Sequence, residues 1–205
     1  MREQILKALG ELRKNPERKF EQSIDLIINL KSFNPVKDSI NIFVPLKHKI
    51  KDKKLCAFLT KKSSSIDTIQ KPEFVRFKDK KEIKRLVNQY DFFLAHASLM
   101  PAVATTFGKF LGQAGKMPSP KLGILTDESE ENIKNTMETV SKNVRVKAKE
   151  ASLKLCIGKE KMKDEEIADN VIAVYDAIIE AMPKKKENIK NVMLKFTMTK
   201  PIKIM

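Results

Sequence analysis

Between residues 55 and 143, short continuous apolar runs alternate with amphipathic stretches, and this alternation constrains the fold more than any other feature of the chain. CAFL, from Cys56, is too short for a helix and apolar at every position, the pattern of a strand covered on both faces. Ser63-Ser64-Ser65 then offers a cap for a short helix, and FVRF (residues 74–77) follows. DKKEIKRLVNQY (79–90) reads as helix, DFFLAHA (91–97) as another buried run, and residues 98–111 as a longer helix. DESEENIKNTMETVSKN (127–143) is a last helix, opened by acids that suit a positive helix N-terminus. Strands alternating with helices in this way imply right-handed crossovers and a parallel sheet.

The two ends of the chain have a different texture. Ile5, Leu9 and Leu12 recur at helical spacing until NPERK ends the helix near Lys14. In FEQSIDLIINLK (20–31), Phe20, Gln22, Ile24, Leu26, Ile28 and Leu30 alternate in part with polar residues, as in a half-buried strand. An Asn34-Pro35 turn leads into INIFVPL (40–46), where Ile40, Ile42 and Val44 share a face. KHKIKDKK (47–54) carries five lysines and one acid and reads as a solvated connector or hinge. Beyond Asn143 come one long strand pattern, VRVKAKEASLKLCIG (144–158), a helix and a final strand, VMLKFTMTKPIKI (192–204). The helix runs from Asp164, as N-cap, to Ala181, buries Ile167, Val171, Val174, Ile178 and Ile179, and is stopped by Pro183.

Charge narrows the partner. With 41 Lys+Arg against 26 Asp+Glu, a net +15, the chain suits a polyanion, nucleic acid ahead of an anionic membrane surface. The first helix interleaves Glu3 and Glu11 with its bases, a poor membrane binder, and the longest uncharged stretch, residues 92–108, is too short to span a bilayer. The N-terminal segment has no secretory pattern, so a cytoplasmic protein is expected. Cys56 and Cys156 sit in apolar runs, as buried reduced thiols do, and with only His48 and His96 beside them no zinc site is expected. Neither histidine has a nucleophile in a recognisable local frame, and Glu130-Glu131 and Glu165-Glu166 read as helix-start charges, so no catalytic residue is expected.

FLGQAGKMPSPK (110–121) tests the enzyme alternative, a nucleotide binder acting on RNA. A triphosphate loop needs glycine at 110, where Phe110 stands, and a hydroxyl residue after Lys116, where Met117 stands. The dinucleotide fingerprint also fails, because Gly108, Gly112 and Gly115 close a helix and do not open one. A glycine helix stop followed by a rigid proline loop explains the segment better.

DFFLAHASLMP (91–101) followed by GKFLGQAGKMPSPK (108–121) resembles the signature region of the large-subunit ribosomal protein L-one family, in its archaeal and eukaryotic style. RKFEQSIDL (18–26), IGKEKMKDEEIADN (157–170) and LKFTMTK (194–200) are similar to three further blocks of that family, in the same order. The resemblance implies an α/β protein of two domains: a split α/β sandwich from both termini (1–53 and 146–205) and an inserted Rossmann-like three-layer domain with a parallel sheet (54–145). It implies RNA contacts from Lys19, Phe20, Gln22, Ser23 and Asp25 on the early strand, and from Asn191, Lys195, Thr197, Met198 and Thr199 near the end. Lys159 and Lys161 are added from the glycine-led turn. The implied partners are ribosomal RNA at the mobile stalk of the large subunit, exit-site tRNA whose release the protein aids, and its own messenger RNA, which it represses. A monomer off the ribosome is implied, with no cofactor, metal or membrane. Three departures stand out: Thr199 replaces a family glycine, Asn191 replaces a small hydroxyl residue of bacterial members, and Gln113-Ala114 replaces a Pro-Arg pair.

Overall fold

The computed structural model describes residues 1–16, 18–34, 38, 40–148 and 150–205; Pro35, of the expected Asn34-Pro35 turn, lies outside them. In chain order the elements are α1 (Arg2–Arg13), β1 (Ser23–Leu30), β2 (Asn41–Pro45), β3 (Leu55–Phe58), β4 (Asp67–Ile69), α2 (Lys80–Gln89), β5 (Phe92–His96) and α3 (Met100–Ala114). There follow β6 (Ile124–Leu125), α4 (Glu130–Lys142), β7 (Asn143–Lys147), β8 (Ser152–Lys159), α5 (Asp164–Ala181), β9 (Ile189–Phe196) and β10 (Ile202–Lys203). They divide into two compact units, Met1–Ile50 with Lys142–Met205, and Lys51–Ser141.

The terminal unit is built on an antiparallel sheet in the order β10-β9-β1-β8. Period-two alternation in β1 sends Ile24, Leu26, Ile28 and Leu30 to one face, where they meet Val192, Leu194 and Phe196 of β9. That face is covered by α1, through Ile5, Ala8, Leu9 and Leu12, and by α5, through Ile167, Val171, Val174 and Ile178. A separate ribbon of β2 and β7 contributes Val44 and Val146 to the same core.

In the inserted unit a parallel sheet, ordered β4-β3-β5-β6, separates two cores. Cys56 and Phe58 of β3 pack with the α2 and α3 side chains Ile83, Leu86, Val103 and Phe107, while Leu55 and Ala57 pack with Ile133 and Val140 of α4. This is the three-layer α/β arrangement expected of strands apolar on both faces. Burial pushes the Cys56 thiol up to about 12, so it stays protonated and inert.

Several local expectations are corrected. Ser63-Ser64-Ser65 caps no helix: the Ser65 amide donates to Ser63 Oγ at 3.2 Å, a local turn that feeds β4. FVRF lies in a 3-10 helix, Lys71–Lys78. The long strand of residues 144–158 is two strands with different partners, β7 on β2 and β8 on β1. The final strand likewise ends at Phe196 and resumes as β10 after a turn. Asp164 is the first residue of α5, not its cap, and its carboxylate takes the Arg13 guanidinium at 2.7 Å. Cys156 is exposed, because Leu153 and Ile157 take the core-facing positions of β8 and leave 156 on the other face. The connector 47–54 is irregular but not wholly solvated, since Lys53 Nζ donates to Val140 O at 2.8 Å.

Candidate nucleic-acid interface

The face of the terminal sheet opposite the two helices is the candidate site. The alternation that buries Ile24 to Leu30 also places Ser23, Asp25, Ile27 and Asn29 on this second face, all half-buried. Asn191, Met193 and Lys195 of β9 and Ser152, Lys154 and Cys156 of β8 share it. Cross-strand register sets Asp25 beside Lys195 and Cys156, and Asn29 beside Asn191 and Ser152. Burial raises the Asp25 carboxyl above its ordinary value of 3.8, and Lys195 opposes the rise only in part.

The turn after β9 closes one end of the face by joining the two chain termini. Ser23 N–H donates to Thr197 Oγ1 at 3.0 Å, and Thr197 N–H donates to Ser23 O at 3.1 Å. Gln22 is 2% exposed, and its Oε1 accepts from Met198 N–H at 3.2 Å, so its side chain lies beneath the surface as the support of the turn. Met198, held by that bond, is 58% exposed, and Phe20 is 51% exposed. Thr199 is not among the described residues with positive φ; its Oγ1 accepts from Phe196 N–H at 2.9 Å. This position therefore makes no demand for the conformational freedom of glycine.

Lys159 is already paired, with Glu21 at 2.6 Å, a contact that holds the Glu21 carboxyl below its usual range. Beside this pair Arg13, Arg18, Lys19, Phe20 and Lys161 line a groove of about 610 Å³ with Asn15, Glu21 and Glu160. The guanidinium of Arg13 is committed to Asp164 and to the carbonyls of Glu160 and Met162, whereas Arg18 and Lys19 make no ion pair among the described residues. Of the twelve expected residues, Ser23, Asp25, Asn191 and Lys195 share the sheet face, Thr197, Met198 and Thr199 form the turn at its end, Lys19, Phe20 and Lys161 line the groove with Lys159 paired to its Glu21, and Gln22 is buried. Asn29 and Ser152, polar residues of the same face, were not expected. The odd-numbered phase of β1, which already included Ser23 and Asp25, was the available signal for Asn29.

The inserted unit holds a second polar cluster. At the carboxyl ends of β3 and β5, where open α/β sheets bind ligands, Glu128 accepts from Thr60 N–H at 2.7 Å, Thr60 Oγ1 at 2.5 Å and Lys61 N–H at 3.3 Å. Burial disfavours its charge, yet these donors and His96 outweigh burial and hold it below the usual carboxylate range. His96 Nδ1 lies 2.7 Å from Ser98 Oγ, a contact between near neighbours in the chain. The pair lacks triad geometry. Glu128 approaches the same Nδ1, at 3.8 Å, and Nε2 faces the carbonyl of Thr126. Lys116 of the glycine loop donates to Val87 O at 2.6 Å and Tyr90 O at 2.8 Å, beyond a left-handed Gly115 that ends α3. Its ammonium serves the end of α2 and cradles no phosphate. Among the described residues no group of His, Cys, Asp and Glu could hold a metal ion, and no helix is long and apolar enough to cross a membrane.

Residues 12–200 match the profile described as the Ribosomal protein L1p/L10e family. The chain is 33% identical to the large ribosomal subunit protein uL1 of Methanothermococcus thermolithotrophicus, over 99% of this chain and 98% of that one. It is 31% identical to the uL1 proteins of Pyrobaculum calidifontis and Pyrococcus abyssi, over 99% of its own length and 94% and 96% of theirs. With a β1–β9 pairing that joins the two ends of the chain around an inserted parallel sheet, and a match that runs almost from end to end, this protein belongs to the Ribosomal protein L1p/L10e family.

Proposed function

We propose that the chain is a structural protein of the large ribosomal subunit that binds ribosomal RNA at the mobile stalk through the open face of its terminal sheet. The observation that carries this reading is the hydrogen-bonded seam between Ser23 and Thr197, which brings both chain ends into one polar, lysine-flanked surface. Its hydroxyls, amides and main-chain groups suit the 2′-hydroxyls and phosphates of folded RNA, which is recognised by shape with little base reading. Met198 and Phe20 exclude water from these bonds; burying a methionine contributes about 1.5–3 kcal/mol, enough to set affinity. The role is non-catalytic and belongs to the cytoplasmic ribosome. At the stalk the protein aids release of deacylated exit-site tRNA. The same surface, engaged with a stalk-like fold in its own messenger RNA, represses translation.

Filter binding to a stalk RNA fragment tests the surface. Thr197→Ala and Met198→Ala should each weaken binding by roughly tenfold or more, the loss of a buried hydrogen bond or apolar contact. Neutralising roughly six phosphates gives a log K versus log salt slope near −5, and Lys184→Ala, in the lysine-rich segment between α5 and β9, should chiefly reduce that slope. Equal, small effects from all three variants would overturn the assignment.

A further inference from the structure

At the end of the open face away from Thr197, three side chains from three strands form a hydrogen-bonded row. Ser152 Oγ on β8 donates to Asn29 Oδ1 on β1 at 2.8 Å, and Asn29 Nδ2 donates to Asn191 Oδ1 on β9 at 2.7 Å. The three are cross-strand neighbours on the same face, so the row follows the register of the sheet and not the chance reach of long side chains. An amide offers an acceptor on one side and donors on the other. In this row Asn29 spends one of each on its two neighbours, and Asn191 spends its acceptor on Asn29.

What is left is a pair of donors. Nδ2 of Asn191 makes no hydrogen bond within the described residues, and none of their buried side-chain nitrogens or oxygens lacks a partner, so Nδ2 is open to solvent. We infer that Asn29 is a positioning residue for RNA, holding Asn191 so that its amide donors, and not its carbonyl, point outward to a phosphate or 2′-hydroxyl oxygen. The inference rests on the reading of the face as the RNA surface. It adds a residue that touches no RNA and a direction to the hydrogen bond that Asn191 makes. An unheld asparagine presents either end of its amide; one locked by a donor behind it presents donors only. The lock also saves the rotamer entropy that ordering a free side chain on binding would cost.

A double-mutant cycle on stalk RNA binding, with a thermal melt of each variant, tests the relay. Asn191→Ala should weaken binding by roughly tenfold and Asn29→Ala by roughly three- to fivefold, with Asn29→Ala having no further effect once Asn191 is alanine. Asn29→Asp provides a second route, because a carboxylate only accepts and would turn the Asn191 amide around. It should weaken binding more than Asn29→Ala at every salt concentration while leaving the melt within a few degrees. If Asn29→Ala leaves affinity unchanged, or costs as much in the Asn191→Ala background as alone, the relay is wrong. If Asn191→Ala is neutral while Thr197→Ala still weakens binding, the relay is wrong and the RNA face stands. If Thr197→Ala is neutral as well, the reading of the face itself has failed.

Discussion

The open face of the terminal sheet and the strand-end cluster of the inserted unit are made of similar polar side chains put to opposite use. In the cluster, Thr60, Lys61, His96 and Ser98 turn inward on one another and on Glu128, whose carboxylate receives three donors in the place where a parallel sheet would otherwise hold an anion. On the open face the bonds run sideways, strand to strand, and leave Asn191, Met198 and Phe20 presented outward. Polar residues satisfied among themselves stabilise a fold; polar residues satisfied on one side only are available to a partner. The difference separates a self-satisfied Rossmann-like crevice from a candidate binding surface without reference to charge totals.

The sharpest way to break this contrast is to damage the inserted unit and measure RNA binding. Phe58 is fully buried among Phe74, Phe93 and Phe107, with ring centroids 5.1–5.8 Å away. Phe58→Ala should cost about 3–5 kcal/mol of that unit's stability, read as an early melting transition. Stalk RNA affinity measured below that transition should stay within twofold of wild type. A large loss of affinity would place binding residues in the inserted unit.

A smaller effect comes from the internal carboxylate. Glu128→Gln removes charge from a site of three donors and should cost about 2 kcal/mol. Because the folded state holds Glu128 below its ordinary value of 4.5, its contribution is fully present above that pH and is lost as pH falls through the lowered value. The wild type should therefore lose stability on acidification more steeply than Glu128→Gln in parallel denaturation series. Identical profiles would mean that the cluster does not bind its own carboxylate as described.

The fold was legible wherever hydrophobic period carried it: the fully apolar β3, the helical stripe of α5 and the alternation of β1 all stand where the pattern put them. It failed where an apolar run crosses a change of partner. VRVKAKEASLKLCIG contains two strands because β2 and β1 lie apart in the unit, a tertiary fact that period two does not carry. Among the candidate residues, motif resemblance reached Ser23, Asp25, Thr197 and Met198, and alternation adds that Ser23 and Asp25 share a face. Neither could tell that Gln22, in phase with the buried set, works from beneath the surface. Alternation places Asn29 on the open face, but neither could pair it with Ser152, a contact that depends on register between strands more than a hundred residues apart. The pairing of His96, Ser98 and Glu128 was hidden for a similar reason, since Glu128 arrives from a different strand end.

The smallest predicted effect sets the two regions against each other through pH. Asp25 and Glu128 are shifted in opposite directions: burial raises Asp25 with only Lys195 to oppose it, whereas Glu128 is lowered by its donors. For Asp25 the sign is therefore reversed. Its ionised form costs the folded state stability at neutral pH, and that cost is relieved as pH falls through the raised value. If RNA phosphates bind this face as proposed, they should disfavour the charge further and raise the carboxyl again, so that binding draws in a proton. A protonated Asp25 would donate to an RNA oxygen where the ionised carboxylate would repel one. Stalk RNA affinity should consequently rise by a factor of about two to three as pH falls from neutrality through the raised value at fixed salt, a Coulombic contribution of under about 1 kcal/mol near a wet surface. In Asp25→Asn the pH dependence should vanish, with affinity at pH 7 already near the acidic value of the wild type and a slightly higher melting temperature. A wild-type affinity that is flat or falls over this range would show that ionised Asp25 accepts a hydrogen bond from the RNA, and would place an acceptor at the centre of a face otherwise built to donate.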